Sequence, residues 1–226
     1  MLKVLYEDQD ILVAVKPAGV ESQAAKRFVP DMVSEVKKHL VINKMCTQGK
    51  EPYVGVIHRL DKPVSGIMVY GKTKNAAARL SSQLRDGKIR KIYQAVVYGK
   101  PVNSVDNLVD YLKQNVDGNY SQVVDKGIKE AKRAELSYRL LDFRESKEGG
   151  LSLLEIRLMT GRHHQIRVQC AAHGMPLWGD FKYNPGHPEQ GPLALCAVSL
   201  AFSHPATGKA LEFSIKPAGG IFEKFQ

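Results

Sequence analysis

The chain has 226 residues, 43% of them hydrophobic and 25% charged, which suffices for a sizeable core and excludes a disordered or fibrous sequence. Thirty-three Lys and Arg against 23 Asp and Glu leave a net charge of +10, a balance that favours a polyanionic partner such as nucleic acid or an anionic membrane surface. Glu7 and Asp8 stand where a secretory leader would carry its apolar run, and no stretch approaches the roughly 18 apolar residues of a membrane span, so a soluble cytoplasmic chain is expected.

Val4 to Tyr6 and Ile11 to Val15 read as short strands around the turn-forming Asp8-Gln9-Asp10, and Pro17 and Gly19 break the second of them. Asp31 to about Val41 has helical character. Tyr53 to Ile57 and Ile67 to Tyr70 read as two more strands, and Pro63 and Gly66 make their connection a loop. A helix is predicted from near Lys74 to the stop at Asp86-Gly87, followed by a strand over Lys91 to Tyr98. Residues 101–150 are the least legible stretch, broken by Asn, Asp, Gly and Lys, and a hairpin and a mobile loop are expected there. Leu154, Ile156 and Leu158, and later Leu211, Phe213 and Ile215, alternate with polar residues as half-buried antiparallel strands do. Between them Thr160 to His173 suits a helix capped by Gly174. With no repeat and no linker, the pattern predicts one α+β domain over 1–226, built on a largely antiparallel mixed sheet with flanking helices.

Gly66 to Thr73 satisfies the phosphate-loop pattern letter for letter, but its four central residues are bulky and strand-forming, so a strand is the better reading. Cys46, Cys170 and Cys196 lack zinc or disulfide spacing and are expected as reduced thiols. His163 and His164 are neighbours that a helix would point about 100° apart, and no metal or cofactor site is expected. Ser65 lacks the first glycine of a hydrolase elbow. Two polar clusters remain. Asp61 lies in a rigid loop between Arg59 and Lys62, either as a nucleophile or as an ordinary turn-capping carboxylate. Thr160 to Arg167 brings two arginines and two histidines to a strand–helix junction, suited to phosphates or to a solvated helix start.

At these clusters the sequence resembles the RluA-type RNA pseudouridine synthases. That family's His-Arg-Leu-Asp segment stands here as His58-Arg59-Leu60-Asp61, its Lys-x-Tyr-x-Ala strand as Lys91 to Ala95, and its Gly-Arg-x-His-Gln-Ile-Arg motif as Gly161 to Arg167, in the family's order. Weaker echoes run from Lys16-Pro17-Ala18-Gly19 through Gly179 to Tyr183, His204-Pro205 and Lys216-Pro217. Val64 replaces the usual Thr of the loop, and Cys196 the usual His of a later strand.

The resemblance implies the pseudouridine synthase fold without a preceding S4 domain, no cofactor, and structured RNA, ribosomal or transfer, as partner of a protein expected to be monomeric. It implies Asp61 as the essential carboxylate, acting on ribose or on uracil, and Arg167 as its cationic partner. It implies Tyr93 stacked on the target base, Arg59 filling the gap left in the RNA, and His58, Arg162, His164 and Gln165 among the substrate contacts. The competing class is a non-catalytic RNA-binding protein on the same scaffold, with Asp61 idle.

Overall fold

The computed structural model describes residues 2–24, 29–43, 51–145, 150–186 and 191–225. They form two compact units, each assembled from two stretches of chain: Met1–Arg90 with Ala197–Ile215, and Lys91–Cys196 with Lys216–Gln226. The class is α+β, and the strand pairs detailed below are antiparallel.

In the first unit, β1 (Lys3–Glu7) pairs with β2 (Ile11–Lys16), and β2 pairs with the strand Ser65–Gly71. Between these in sequence come helix α1 (Met32–Ile42) and the two-residue β3 (Gly55–Val56), so Ser65–Gly71 is β4. Asp31 caps α1 by accepting the Ser34 N–H at 2.7 Å. Helix α2 (Lys74–Arg85) is capped by Thr73 and buries Ala76, Ala77 and Leu80. Alanines suit that face, because α2 lies so close to β4 that a Cβ on Gly71 would stand 2.7 Å from the Ala77 nitrogen. The core joins Ile11, Val13, Ile67 and Val69 to Leu80, Leu200 and Phe202. The phosphate-loop letters are thus a buried strand and a helix cap, and Lys72 is spent on Glu7 Oε1 and the Asp8 carbonyl, both at 2.6 Å.

In the second unit β5 (Arg90–Tyr98) pairs with a later strand, β9 (Leu151–Leu158), and three strands intervene in sequence. These are β6 (Val105–Asn115), β7 (Tyr120–Val123) and β8 (Lys132–Arg144), in the order β9-β8-β6-β7. The stretch expected to hold one hairpin and a loop therefore carries the two longest strands described, while residues 146–149 lie outside the described residues. In β8 Ala134, Leu136 and Tyr138 are buried in alternation, yet Val105 and Val109 of β6 are exposed, so apolar spacing there misleads.

Helix α3 (Gln165–Ala172) is shorter than predicted, because the preceding residues form a turn that ends on His164 in the left-handed conformation, at φ 53°. Gly174 follows α3 with φ +74°, as its capping role requires. The remaining strands are β10 (Leu195–Ser203) and β11 (Ala210–Ser214), which pair with each other; a 3-10 turn covers Gly220–Phe225. Cys170 and Cys196 are buried, and Cys46 lies outside the described residues.

Candidate active site

In the first unit, Asp61 sits in the connection from β3 to β4, a stretch with no strand partner of its own. Its neighbours supply what a partner would. Ser22 Oγ donates to the Leu60 carbonyl at 2.7 Å and accepts the Leu60 N–H at 3.0 Å. The Lys62 carbonyl accepts the Gly19 N–H at 2.8 Å, and the Asp61 carbonyl accepts the Val64 N–H at 2.9 Å. Leu60 and Val64 point into the core, so the loop is anchored on both sides of the carboxylate while Arg59 and Lys62 stay exposed. Val64 needs only bulk for that role, which a threonine-to-valine departure preserves. His58 accepts the Val69 N–H on Nε2 at 3.3 Å, which ties the start of the loop to β4.

Lys16 completes this frame. It ends β2, is 0% exposed, and its Nζ donates to the carbonyls of Val20 at 2.6 Å, Pro17 at 3.0 Å and Lys62 at 3.1 Å. Burial pushes the ammonium down to about 8, and the nearby negative charge of Asp61 works in the opposite direction. No role had been assigned to Lys16 from sequence. The available signal was a lysine closing the otherwise apolar run Ile11 to Val15.

The second unit carries Tyr93 and the Gly161–Arg167 motif. Tyr93 lies in the middle of β5, opposite Ile156 of β9, and is 6% exposed. Arg167 projects from α3 and is buried with Asp180: its Nε donates to Oδ2 at 2.7 Å and its Nη2 to Oδ1 at 2.6 Å. Two parallel bonds fix the plane of the guanidinium as well as its place. Its other neighbour is the Tyr183 ring, with the guanidinium carbon 5.0 Å from the ring centroid.

Gln165, expected among the substrate contacts, is bonded within the protein. It is 3% exposed, and its amide oxygen accepts from Thr160 Oγ1 at 2.8 Å and the Arg162 N–H at 2.9 Å. Its amide nitrogen donates to the Glu135 carbonyl at 3.0 Å and to Gln169 Oε1 at 2.9 Å. All four hydrogen-bonding positions of the amide are therefore filled by protein. Arg162 is exposed, with Nε donating to the Arg133 carbonyl at 2.9 Å. His164 is buried beside the stacked ring of His163, 3.8 Å away, and burial, reinforced by the Arg167 charge, pushes it down to about 3. It is a neutral imidazole. Asp180 and Tyr183, present only as a weak family echo, and Ser121 have no site role legible in the sequence, because they meet the motif only through the fold. Among the described residues no group of three or more His, Cys, Asp or Glu gathers as a metal site, and no helix is long and apolar enough to cross a membrane.

The two-ended anchoring of one carboxylate and the buried arginine of the second unit fall within a stretch, residues 10–172, that matches the family described as RNA pseudouridylate synthase, and the chain belongs to that family. It is an RNA pseudouridine synthase, an isomerase acting on RNA. Ribosomal large subunit pseudouridine synthase D of Zymomonas mobilis is 34% identical over 94% of this chain and 68% of its own length. The synthase of the same name from Pseudomonas aeruginosa is 32% identical over 94% of this chain and 67% of its own. Among solved structures, human RNA pseudouridylate synthase domain containing 4 has the same fold at 22% identity, with a TM-score of 0.75, covering 96% of this chain and 88% of the other.

Proposed function

We propose that the chain isomerises specific uridines in ribosomal or transfer RNA, with Asp61 as the catalytic nucleophile. The reaction breaks the C1′–N1 bond, turns the uracil and joins C5 to C1′; the proton leaves C5 and N1 gains one, so atoms balance with no redox partner. Asp61 acts as a carboxylate on the ribose or on the uracil ring, and Arg167 is the cation that pairs with it. Tyr93 stacks on the base and assists removal of the C5 proton. A uridine in folded RNA must leave its stack, at about a few kcal/mol, before it reaches Asp61, and Arg59 fills the space it vacates. His58, Arg162 and His164 hold the surrounding RNA.

The observation that carries this reading is the immobilised loop: Leu60 and Lys62, on either side of Asp61, are both bonded through their backbone to Ser22, Gly19 and Lys16. Holding a reacting group in place removes part of the barrier before chemistry begins. The names of the bacterial relatives favour ribosomal RNA as the first substrate to try. Asp61→Asn is expected to abolish pseudouridine formation, with RNA affinity within about threefold of the original, since the change is isosteric. Turnover retained in that variant would leave only an RNA-binding role for the scaffold.

A further inference from the structure

Tyr183 stands at the centre of the second unit's polar network, and neither the family motifs nor the chemistry above gives it a task. Its hydroxyl accepts the Ser121 N–H at 2.8 Å and lies 2.8 Å from His164 Nδ1. Its ring meets His164 edge-on, at 5.6 Å and 86°, and lies against the Arg167 guanidinium. Its backbone N–H donates to Asp180 Oδ1 at 3.1 Å, beside the 2.6 Å bond from Arg167. One side chain thus touches the histidine and the arginine, and its own amide steadies the carboxylate that holds that arginine.

We propose that Tyr183 is a positioning residue: its ring floors the Arg167 guanidinium, and its hydroxyl, donating to Nδ1, holds the His164 imidazole with its single proton on Nε2. The proposal rests on the function given above for Arg167 and His164. The direction of the Tyr183–His164 bond is part of the proposal. The Ser121 amide can only donate, so it takes one lone pair of the hydroxyl, and the hydroxyl keeps a proton with which to donate to Nδ1. A neutral imidazole has one N–H, which then resides on Nε2. Burial next to the charges of Arg167 and Lys182 keeps the ring neutral. His164 accordingly carries its proton on Nε2 without adding a second positive charge beside Arg167.

The same tyrosine links this pair to the β6–β7 hairpin. Ser121 is the second residue of β7, its hydroxyl lies 2.9 Å from His163 Nδ1, and Asn119 Oδ1 lies 3.1 Å from His163 Nε2. Lys182 Nζ donates to the Asn119 carbonyl at 2.7 Å. The hairpin end is therefore fastened to the segment that bears Tyr183 and to the turn that bears His164.

The test is nitrogen-15 NMR of the imidazoles in the whole protein, with His164 assigned by loss of its signals in His164→Gln. The unmodified protein is expected to show His164 with its proton on Nε2, and Tyr183→Phe to show a mixture of tautomers. A proton on Nδ1 in the unmodified protein, or an unchanged tautomer in the variant, overturns the proposal. In parallel, tritium release from a large-subunit ribosomal RNA transcript labelled at uridine C5 is expected to show kcat reduced by about tenfold in Tyr183→Phe, the worth of one hydrogen bond, with KM changed by less than about twofold. Tyr183→Leu, which also removes the ring, should lose more. An unchanged kcat in Tyr183→Phe also overturns the positioning role. If the unmodified protein releases no tritium from this or any cellular RNA, the assigned reaction fails, while the tautomer measurement still decides the role of Tyr183.

Discussion

Ser22 meets Leu60 with both of its hydrogen-bonding roles, so the backbone beside Asp61 is satisfied without a strand partner. Ser22→Ala leaves a buried N–H and carbonyl without that hydroxyl, and a loss of about 1–3 kcal/mol in urea unfolding is expected, together with slower turnover. Lys16 makes a separate prediction through pH. Its folded-state value of about 8 lies below the ordinary 10.5, so between these values the unfolded chain binds the proton more than the folded one does. Stability from this group therefore rises with pH across that window and is least below it. Lys16→Met is expected to lack the rise when unfolding midpoints at about pH 7.5 and about pH 9.5 are compared with those of the original protein. Asp61, Tyr93 and Arg167 are legible in the sequence as members of ordered motifs, whereas the internal bonding of the Gln165 amide is not. A glutamine between two arginines reads as surface chemistry; only the fold brings Thr160, Glu135 and Gln169 onto its amide. Ser22 escapes notice for the same reason, since Leu60 is remote in the chain, and so does the bond from Lys16 to the Lys62 carbonyl.

The strand β4 shows how an element can be legible in kind yet constrained by one residue. Its apolar run and the Pro63-Gly66 break announce it, but the backbone of Gly66 has φ +135°, a conformation that side chains rarely adopt. A Cβ there would stand 2.5 Å from the backbone nitrogen and oxygen of Ala197 in β10. Gly66→Ala is expected to destabilise the protein by about 3 kcal/mol or more, from strain and overlap together, seen as a lowered denaturant midpoint. Helices α1 and α2 were readable because each has an acid or hydroxyl cap and an apolar face. Helix α3 was overextended because a left-handed histidine carries no local signature, and β6 to β8 were underestimated because exposed valines and scattered lysines blur the alternation. These are places where long-range packing overrides local pattern.

At the scale of the molecule, the charge of +10 makes RNA binding dependent on counterion release. The logarithm of affinity should fall linearly with that of salt, and Arg162→Ala should lessen the slope by about 0.7–0.9 if that arginine holds one phosphate, as filter binding across a salt series would show. An unaltered slope would place Arg162 away from the backbone. The division into two units has a different bearing, on how the protein is made. The first unit takes its opening 90 residues from the start of the chain and β10 and β11 from near the end, and β4 is flanked by β10. A ribosome adding about 5–20 residues each second leaves the apolar strand β4 waiting on the order of ten seconds for its neighbour. During translation this enzyme therefore carries an open, sticky margin that invites association with other nascent chains, and its yield in a cell should depend on what shields that margin until the last strands emerge.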